Sequence, residues 1–278
     1  MNNLLSSSAA RLRDAALVAA LVASGVLAGA GQAKADELDD ILSSGTLRCG
    51  VMLDYPPLGY RDSNGDPQGF DVETCKDIAT AMGVELEIIE TPAPQRIPSL
   101  IAGTTDIAVA GTTATLERAK TVTFTRPYNM GRMFVAYKQD SGEMTQFEDL
   151  KGKTVAVVRG TINETAYLAE CAKWDEGCDN LSLATNADAV TALRQGRADA
   201  YIETDAYMSA FIGSPVAEGI ALCCAVPGNT DWNAMAVVRG EYGLRDWLNY
   251  FIFWQIDSGR YAELYTKFFN APAPTLAQ

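Results

Sequence analysis

The sequence contains no histidine. A Ser-His or Cys-His nucleophile, a His-based zinc centre and an HExxH protease site are therefore impossible. Basic residues are also scarce: 22 Lys and Arg stand against 35 Asp and Glu, a net charge of −13 over 278 residues. No basic stretch offers a phosphate-neutralising face, which argues against nucleic acid as a partner. The acidity is diffuse rather than a tail and points to a soluble monomer. Nothing calls for a metal or cofactor. With 48% hydrophobic residues, the chain can build one large domain or two small ones.

The first 35 residues read as a targeting segment. Arg11 and Arg13 precede an apolar run, Ala15 to Ala30, closed by Gln32-Ala33-Lys34-Ala35. A charged region, an apolar region and an Ala-x-Ala site together predict a secretory signal cleaved after Ala35, and hence a periplasmic protein. No cysteine sits at the cleavage point, so a lipid anchor is not expected. All six cysteines, at 49, 75, 171, 178, 223 and 224, lie beyond it. An even count in an oxidising compartment favours disulfides. Cys171 and Cys178 are spaced to close a small loop. Cys49 and Cys75 fall on apolar faces, where buried thiols are an equal expectation. Connectivity stays open, most of all for Cys223 and Cys224.

Short apolar strands then alternate with helical stretches. Leu47–Leu53 reads as a strand, and Val72, Cys75, Ile78, Ala79 and Met82 trace one helix face. Val84–Ile89 is a strand, Ile97–Ala102 a helix and Ile107–Ala110 a strand, with Gly83 and Gly103 as stops. The alternation predicts an α/β fold with largely parallel pairing. It also repeats: Leu, Gly and Asp coincide at 100/193, 103/196 and 106/199, always 93 apart, and Gly45-Thr-Leu-Arg echoes Gly152-Lys-Thr-Val. Two copies of one unit imply two similar lobes with a ligand cleft between them.

Gly45-Thr-Leu-Arg, Asp54-Tyr-Pro-Pro, Gly69-Phe-Asp-Val, Arg96-Ile-Pro-Ser-Leu, Thr115-Leu-Glu-Arg-Ala-Lys, Phe124-Thr-Arg-Pro-Tyr128, Asp149-Leu-Lys-Gly-Lys-Thr-Val155, Gly160-Thr and Gly196-Arg-Ala-Asp-Ala occur in this order. The set resembles the periplasmic polar-amino-acid binding proteins of ABC importers, bacterial extracellular solute-binding family 3. That resemblance implies the type II periplasmic binding fold, two α/β lobes joined by two crossover segments near 129–135 and 231–236. Lobe 1 would comprise 36–130 and 235–278, the latter with helices at Leu244–Asp257 and Arg260–Phe269; lobe 2 would comprise 136–230. The partners implied are a small-molecule ligand and an inner-membrane permease.

The resemblance also implies a site. Arg118, preceded by Gly111-Thr-Thr113, would fork onto a ligand α-carboxylate, as a planar guanidinium can. Thr115 would cap the segment that carries it. The turn Gly160-Thr161-Ile162-Asn163 would add helix-start N–H groups to the same anion, and Tyr55 would be the aromatic platform. Arg96 would grip a side-chain carboxylate in relatives that take acidic ligands. The ammonium end departs from the pattern. The usual acid position is Thr204, flanked by Glu203 and Asp205, and a second acid position is Met52, with Asp54 nearby. The expected role is a hinge-closing receptor for a polar or acidic amino acid. Two alternatives stand beside it: a carboxylate lacking an α-amino group, and a cyclohexadienyl-dehydratase-like enzyme with Glu203 as its acid.

Overall fold

The computed structural model describes residues 36–276 apart from 176 and 229, and the expected signal segment lies outside the described residues. Helix α1 (Glu37–Ser44) leads into β1 (Thr46–Val51). A small hairpin sheet follows, made of β2 (Asp54–Tyr55), β3 (Gly59–Arg61) and β4 (Pro67–Gln68). Then come α2 (Phe70–Met82), β5 (Glu85–Glu90), α3 (Arg96–Ile101), β6 (Ile107–Ala108) and the long β7 (Val122–Gly131). The next stretch runs β8 (Met133–Lys138), β9 (Thr154–Val158), α4 (Ile162–Cys171), β10 (Asp179–Leu183), α5 (Asn186–Arg194), β11 (Ala200–Thr204), α6 (Asp205–Ile212) and β12 (Ile220–Ala225). β13 (Asp231–Val238), α7 (Tyr242–Asp257) and α8 (Arg260–Phe269) complete the chain.

Two five-stranded sheets result, in the orders β5-β1-β6-β13-β7 and β10-β9-β11-β8-β12. The chain passes from the first to the second through Arg132 and returns between the end of β12 at Ala225 and the start of β13 at Asp231. The return therefore lies just upstream of the expected 231–236, a stretch that belongs wholly to β13. Pairing is parallel only on one side of each sheet. β1 runs parallel to β5 and β6, whereas β13 is antiparallel to both β6 and β7. The expectation of largely parallel sheets is corrected here, because the strands that cross between sheets enter each one from the opposite end.

The 93-residue echo is a repeated clasp. Asp106 donates its N–H to the Arg48 carbonyl (2.9 Å) and accepts the Arg48 N–H on its carboxylate (2.7 Å). Asp199 does the same to Thr154, at 2.8 and 3.0 Å. In both copies the preceding leucine is fully buried and the glycine between takes a positive φ, 66° at Gly103 and 70° at Gly196, which a side chain would oppose. Each clasp ties the strand after a helix to the first central strand of its sheet.

Helix faces follow the same logic. In α2, Phe70, Val72, Thr74, Cys75, Ile78 and Ala79 are buried, and α7 buries Leu244, Leu248, Phe251 and Ile252 against the first sheet. Cys49 in β1 and Cys75 in α2 are both fully buried and joined in a disulfide, which decides between the two expectations held for them. Cys171–Cys178 closes the expected small loop, and Cys223 pairs with its neighbour Cys224. The last pair coincides with a register shift in the β12–β8 ladder between Leu222 and Ala225. Adjacent strand residues ordinarily face opposite sides, so joining them interrupts the pleat.

The Cys49–Cys75 bridge spans 26 residues of sequence and ties helix to sheet in the core of the first lobe. Replacing both cysteines by alanine should lower unfolding stability by about 3 kcal/mol, from loop-closure entropy. Urea unfolding of the double variant beside the parent checks this.

Candidate functional site

The site begins at the turn that leaves β6. Gly111 has φ +52°, and a Cβ there would lie 2.9 Å from Tyr55 Cε1, so the ring can rest on the turn only because the residue is glycine. The Gly111 N–H donates to Asp71 Oδ2 (3.1 Å) and to the Tyr128 hydroxyl (3.2 Å). Its carbonyl accepts from Arg96 Nη1 at 2.8 Å and from Asn233 Nδ2 at 3.4 Å. Arg96 is buried beneath this turn, with Nε on the Ala93 carbonyl (3.0 Å) and Nη1 also on that of Ala110 (3.1 Å). Burial lowers its pKa, opposed by nearby Tyr55, Asp231 and Glu203.

Arg118 stands at the rim on a short 3₁₀ turn, its amide held by Thr115 Oγ1 at 3.1 Å. Its guanidinium donates to the Thr113 carbonyl (2.8 Å) and, across the cleft, to that of Gly160 (2.7 Å). Glu117, its neighbour in sequence, pairs with Lys120 instead. Among the described residues, no carboxylate lies within ion-pair distance of Arg118 or Arg96. Burial first, and then the neighbouring Arg96, lower the Arg118 pKa to about 10, with Asp231 acting the other way. A half-buried cation without an anionic partner is a place where an anion gains.

The second lobe contributes the turn from β9 into α4. Thr161 caps the helix by accepting the Glu164 N–H (3.3 Å), and the Gly160 N–H is taken by Glu164 Oε2 (2.9 Å). Ile162 and Asn163 are the first two residues of the helix, where amides have no partner within the helix, and both line the cavity, which Gly160 does not. Asn163 Nδ2 bonds Glu203 Oε1 at 2.8 Å. The same oxygen accepts the Thr204 N–H (2.8 Å) and the Tyr55 hydroxyl (3.2 Å). Oε2 accepts nothing among the described residues. Burial raises the Glu203 pKa to about 7 despite these donors.

These groups enclose a cavity of about 20 Å³. Met52, Tyr55, Arg96, Gly111, Thr113 and Asp231 line it from the first lobe and Thr161, Ile162, Asn163 and Glu203 from the second. Tyr55, Arg96, Gly111, Thr113, Thr161, Ile162, Asn163 and Glu203 are thus brought together, with Arg118 and Gly160 bridging the rim. Asp54 and Asp205 do not line the cavity. Asp54 Oδ2 accepts the Asn186 N–H at 2.8 Å, an interlobe strut, and Asp205 Oδ1 accepts the Ala206 N–H at 2.8 Å. Asp231 went unread. It is buried at the start of β13 and held by Thr113 and by Asn233 Nδ2 (3.0 Å), while its pKa is raised by burial. The signal for it was Asp-x-Asn at alternate positions of an otherwise apolar strand, two polar groups on one face.

Residues 47–271 match the model of bacterial extracellular solute-binding proteins, family 3. The chain belongs to this family. A solved mutant of ArgBP from T. maritima is similar to the solute-binding protein at 33% identity and a TM-score of 0.77, covering 84% of this chain and 100% of that one. A probable histidine-binding protein of Campylobacter jejuni is 29% identical over 56% of this chain and 59% of its own. The cyclohexadienyl dehydratase of Pseudomonas aeruginosa is 34% identical over 53% of this chain and 57% of its own. The solute-binding protein thus spans less than two thirds of the length of these curated relatives. No helix among the described residues is long and apolar enough to cross a membrane.

Glu203 supplies a pH test of this geometry. Its folded pKa of about 7 exceeds the ordinary 4.5, so the folded state holds the proton more tightly, and stability falls as pH rises through that window. Gln presents the same accepting oxygen to Asn163, Thr204 and Tyr55 without the buried charge. Glu203→Gln should therefore raise the melting temperature at pH 8, by a stabilisation on the order of 2 kcal/mol, and change it little at pH 5. Thermal melts of both proteins at the two pH values decide it.

Proposed function

We propose that this solute-binding protein is the periplasmic receptor of an ABC importer for an amino acid, captured as a zwitterion between closing lobes. The observation that carries this is Arg118, a half-buried cation at the rim, bonded to both lobes and lacking a carboxylate partner among the described residues. Its role is to fork onto the ligand carboxylate, which the Ile162 and Asn163 amides meet from the other lobe. Glu203 Oε2, with Asp231, is the receptor for the ammonium. These two acids take the place of the acid that the ordinary pattern puts at Thr204, and they favour an amino acid over a carboxylate without the amine. Closure selected by the ligand would present the loaded receptor, as a monomer, to an inner-membrane permease. Relatives named for arginine, histidine and cystine binding support the ligand class.

Titration calorimetry with a panel of L-amino acids, dicarboxylates and hydroxy acids tests the reading. An amino acid should bind, and Arg118→Ala should weaken it roughly a hundredfold or more, as for loss of one partner of a desolvated charge pair. Binding of a dicarboxylate or hydroxy acid but of no amino acid would replace the zwitterion with the amine-free ligand.

One observation favours a second reading. Glu203 is buried, and its pKa of about 7 leaves much of it protonated at neutral pH, the state a general acid needs. A dehydratase of the kind named for the Pseudomonas aeruginosa relative would use that proton on a leaving hydroxyl. Incubating the protein with cyclohexadienyl acids should give no aromatic product if it is a receptor only; product that disappears in Glu203→Gln would make it an enzyme.

A further inference from the structure

One of the three disulfides does little for stability. A cross-link helps a fold by constraining the unfolded chain, more for longer loops, and Cys223 and Cys224 are neighbours in sequence. Their bond closes no loop of chain, whereas Cys49–Cys75 spans 26 residues. It shapes a strand instead. β12 is the outermost strand of the second sheet, and its ladder with β8 pairs Leu222 with Ala136 and Ala225 with Phe134. Two residues, both cysteines, therefore stand opposite Val135 alone, which is a β-bulge. Just beyond it the Val226 N–H donates to the Met133 carbonyl at 2.9 Å, and the return crossover begins. At the far end of that crossover Asp231, which lines the cavity, pairs with Gly131. The two passages between the lobes are thus pinned together in each lobe, and the cysteine bulge sets the register of the pin in the second.

We propose that Cys223–Cys224 is a thiol–disulfide exchange site, open to a dithiol reductant, and that its reduction slackens the return crossover. Both residues are half-buried on an edge strand, whereas Cys49 and Cys75 are fully buried in the first lobe. In the exchange a thiolate of the reductant attacks one sulfur of the pair. The S–S bond breaks, and its electrons leave on the other cysteine, which takes up a proton. The second thiol of the reductant, once deprotonated, attacks the mixed disulfide, and the remaining cysteine leaves as a thiolate and is protonated. The reductant ends as a disulfide and both cysteines as thiols. Free thiols on adjacent residues can face opposite sides, as a strand ordinarily places them. One-to-one pairing then sets Cys223 on Val135, Cys224 on Phe134 and Ala225 on Met133, which displaces Val226 from its bond and hands one residue to the crossover. Reoxidation takes it back. The bond is a reversible adjustment of hinge length, made of no residue that lines the cleft.

Titration of the folded protein with dithiothreitol, followed by alkylation and peptide mass mapping, tests the site, and amide hydrogen exchange tests the crossover. Cys223 and Cys224 should acquire label together, at least tenfold faster than Cys49 and Cys75. Exchange of the Val226 amide should then rise at least tenfold, with the buried amides of β1 unchanged. The double variant Cys223→Ser, Cys224→Ser should exchange at the faster rate without reductant and show no further rise on its addition, which separates this bond from Cys171–Cys178. If that variant does not fold, the parent's labelling order and its Val226 exchange still decide. Labelling no faster than at Cys49 and Cys75, or reduction of the pair with Val226 exchange unchanged, would overturn the proposal. Ligand binding plays no part in these measurements, so the readings of the cleft stand or fall separately.

Discussion

The peptide at Gly111 is held from both sides, its N–H by Asp71 and Tyr128 and its carbonyl by Arg96 and Asn233. That one unit relates groups from five separate stretches of the chain. Asp71 comes from the start of α2, Tyr128 and Asn233 from the two long antiparallel strands, Arg96 from the start of α3, and Tyr55 lies on the bare face of the glycine itself. Tyr128 also donates to Asp71 Oδ1 at 2.8 Å, so the carboxylate accepts from both of its neighbours at once. Burial lifts the Asp71 pKa to about 7 against these bonds and against the Arg96 charge. A charged group this deep is tolerated because both of its oxygens have donors.

Charge is managed locally in the cleft, against the sign of the molecule as a whole. Two arginines face two buried acids across a small volume, and none of the four forms a short ion pair with another among the described residues. Arg96 spends its donors on backbone carbonyls, and Glu203 fills one oxygen with three neutral or backbone donors while the other stays open. Such groups keep part of their bonding capacity in reserve. An incoming molecule with both signs of charge relieves both deficits together, and one with a single sign relieves only one of them.

What could be read from the chain alone divides along physical lines. The two lobes were visible because Leu-x-x-Gly-x-x-Asp encodes a local event, helix stop, turn and strand start, that the structure carries out twice with matching bonds. The boundaries of α8 and the place of Arg118 were reached through the family resemblance, not through the period of apolar residues. Asp231 was hidden because its partner Thr113 lies far off in sequence, on the other side of an entire lobe. The capture of the Gly160 N–H by Glu164 was equally invisible, since a side chain reaching back one helical turn leaves no trace in spacing alone. Asp54 sat beside a site motif in sequence yet points to the start of α5. Proximity along the chain and proximity in the cleft are different quantities, and only the fold converts one into the other.

The strand order of the first sheet carries one more consequence. β13 lies between β6 and β7, so that sheet is split until the chain has travelled through β8 to β12 and come back. The second sheet, by contrast, is built from one uninterrupted stretch of sequence. An emerging chain can therefore complete its second lobe while the first still exposes the unpaired edges of β6 and β7, waiting for a strand that arrives last. The first lobe thus cannot complete its sheet until the whole of the second has been synthesised.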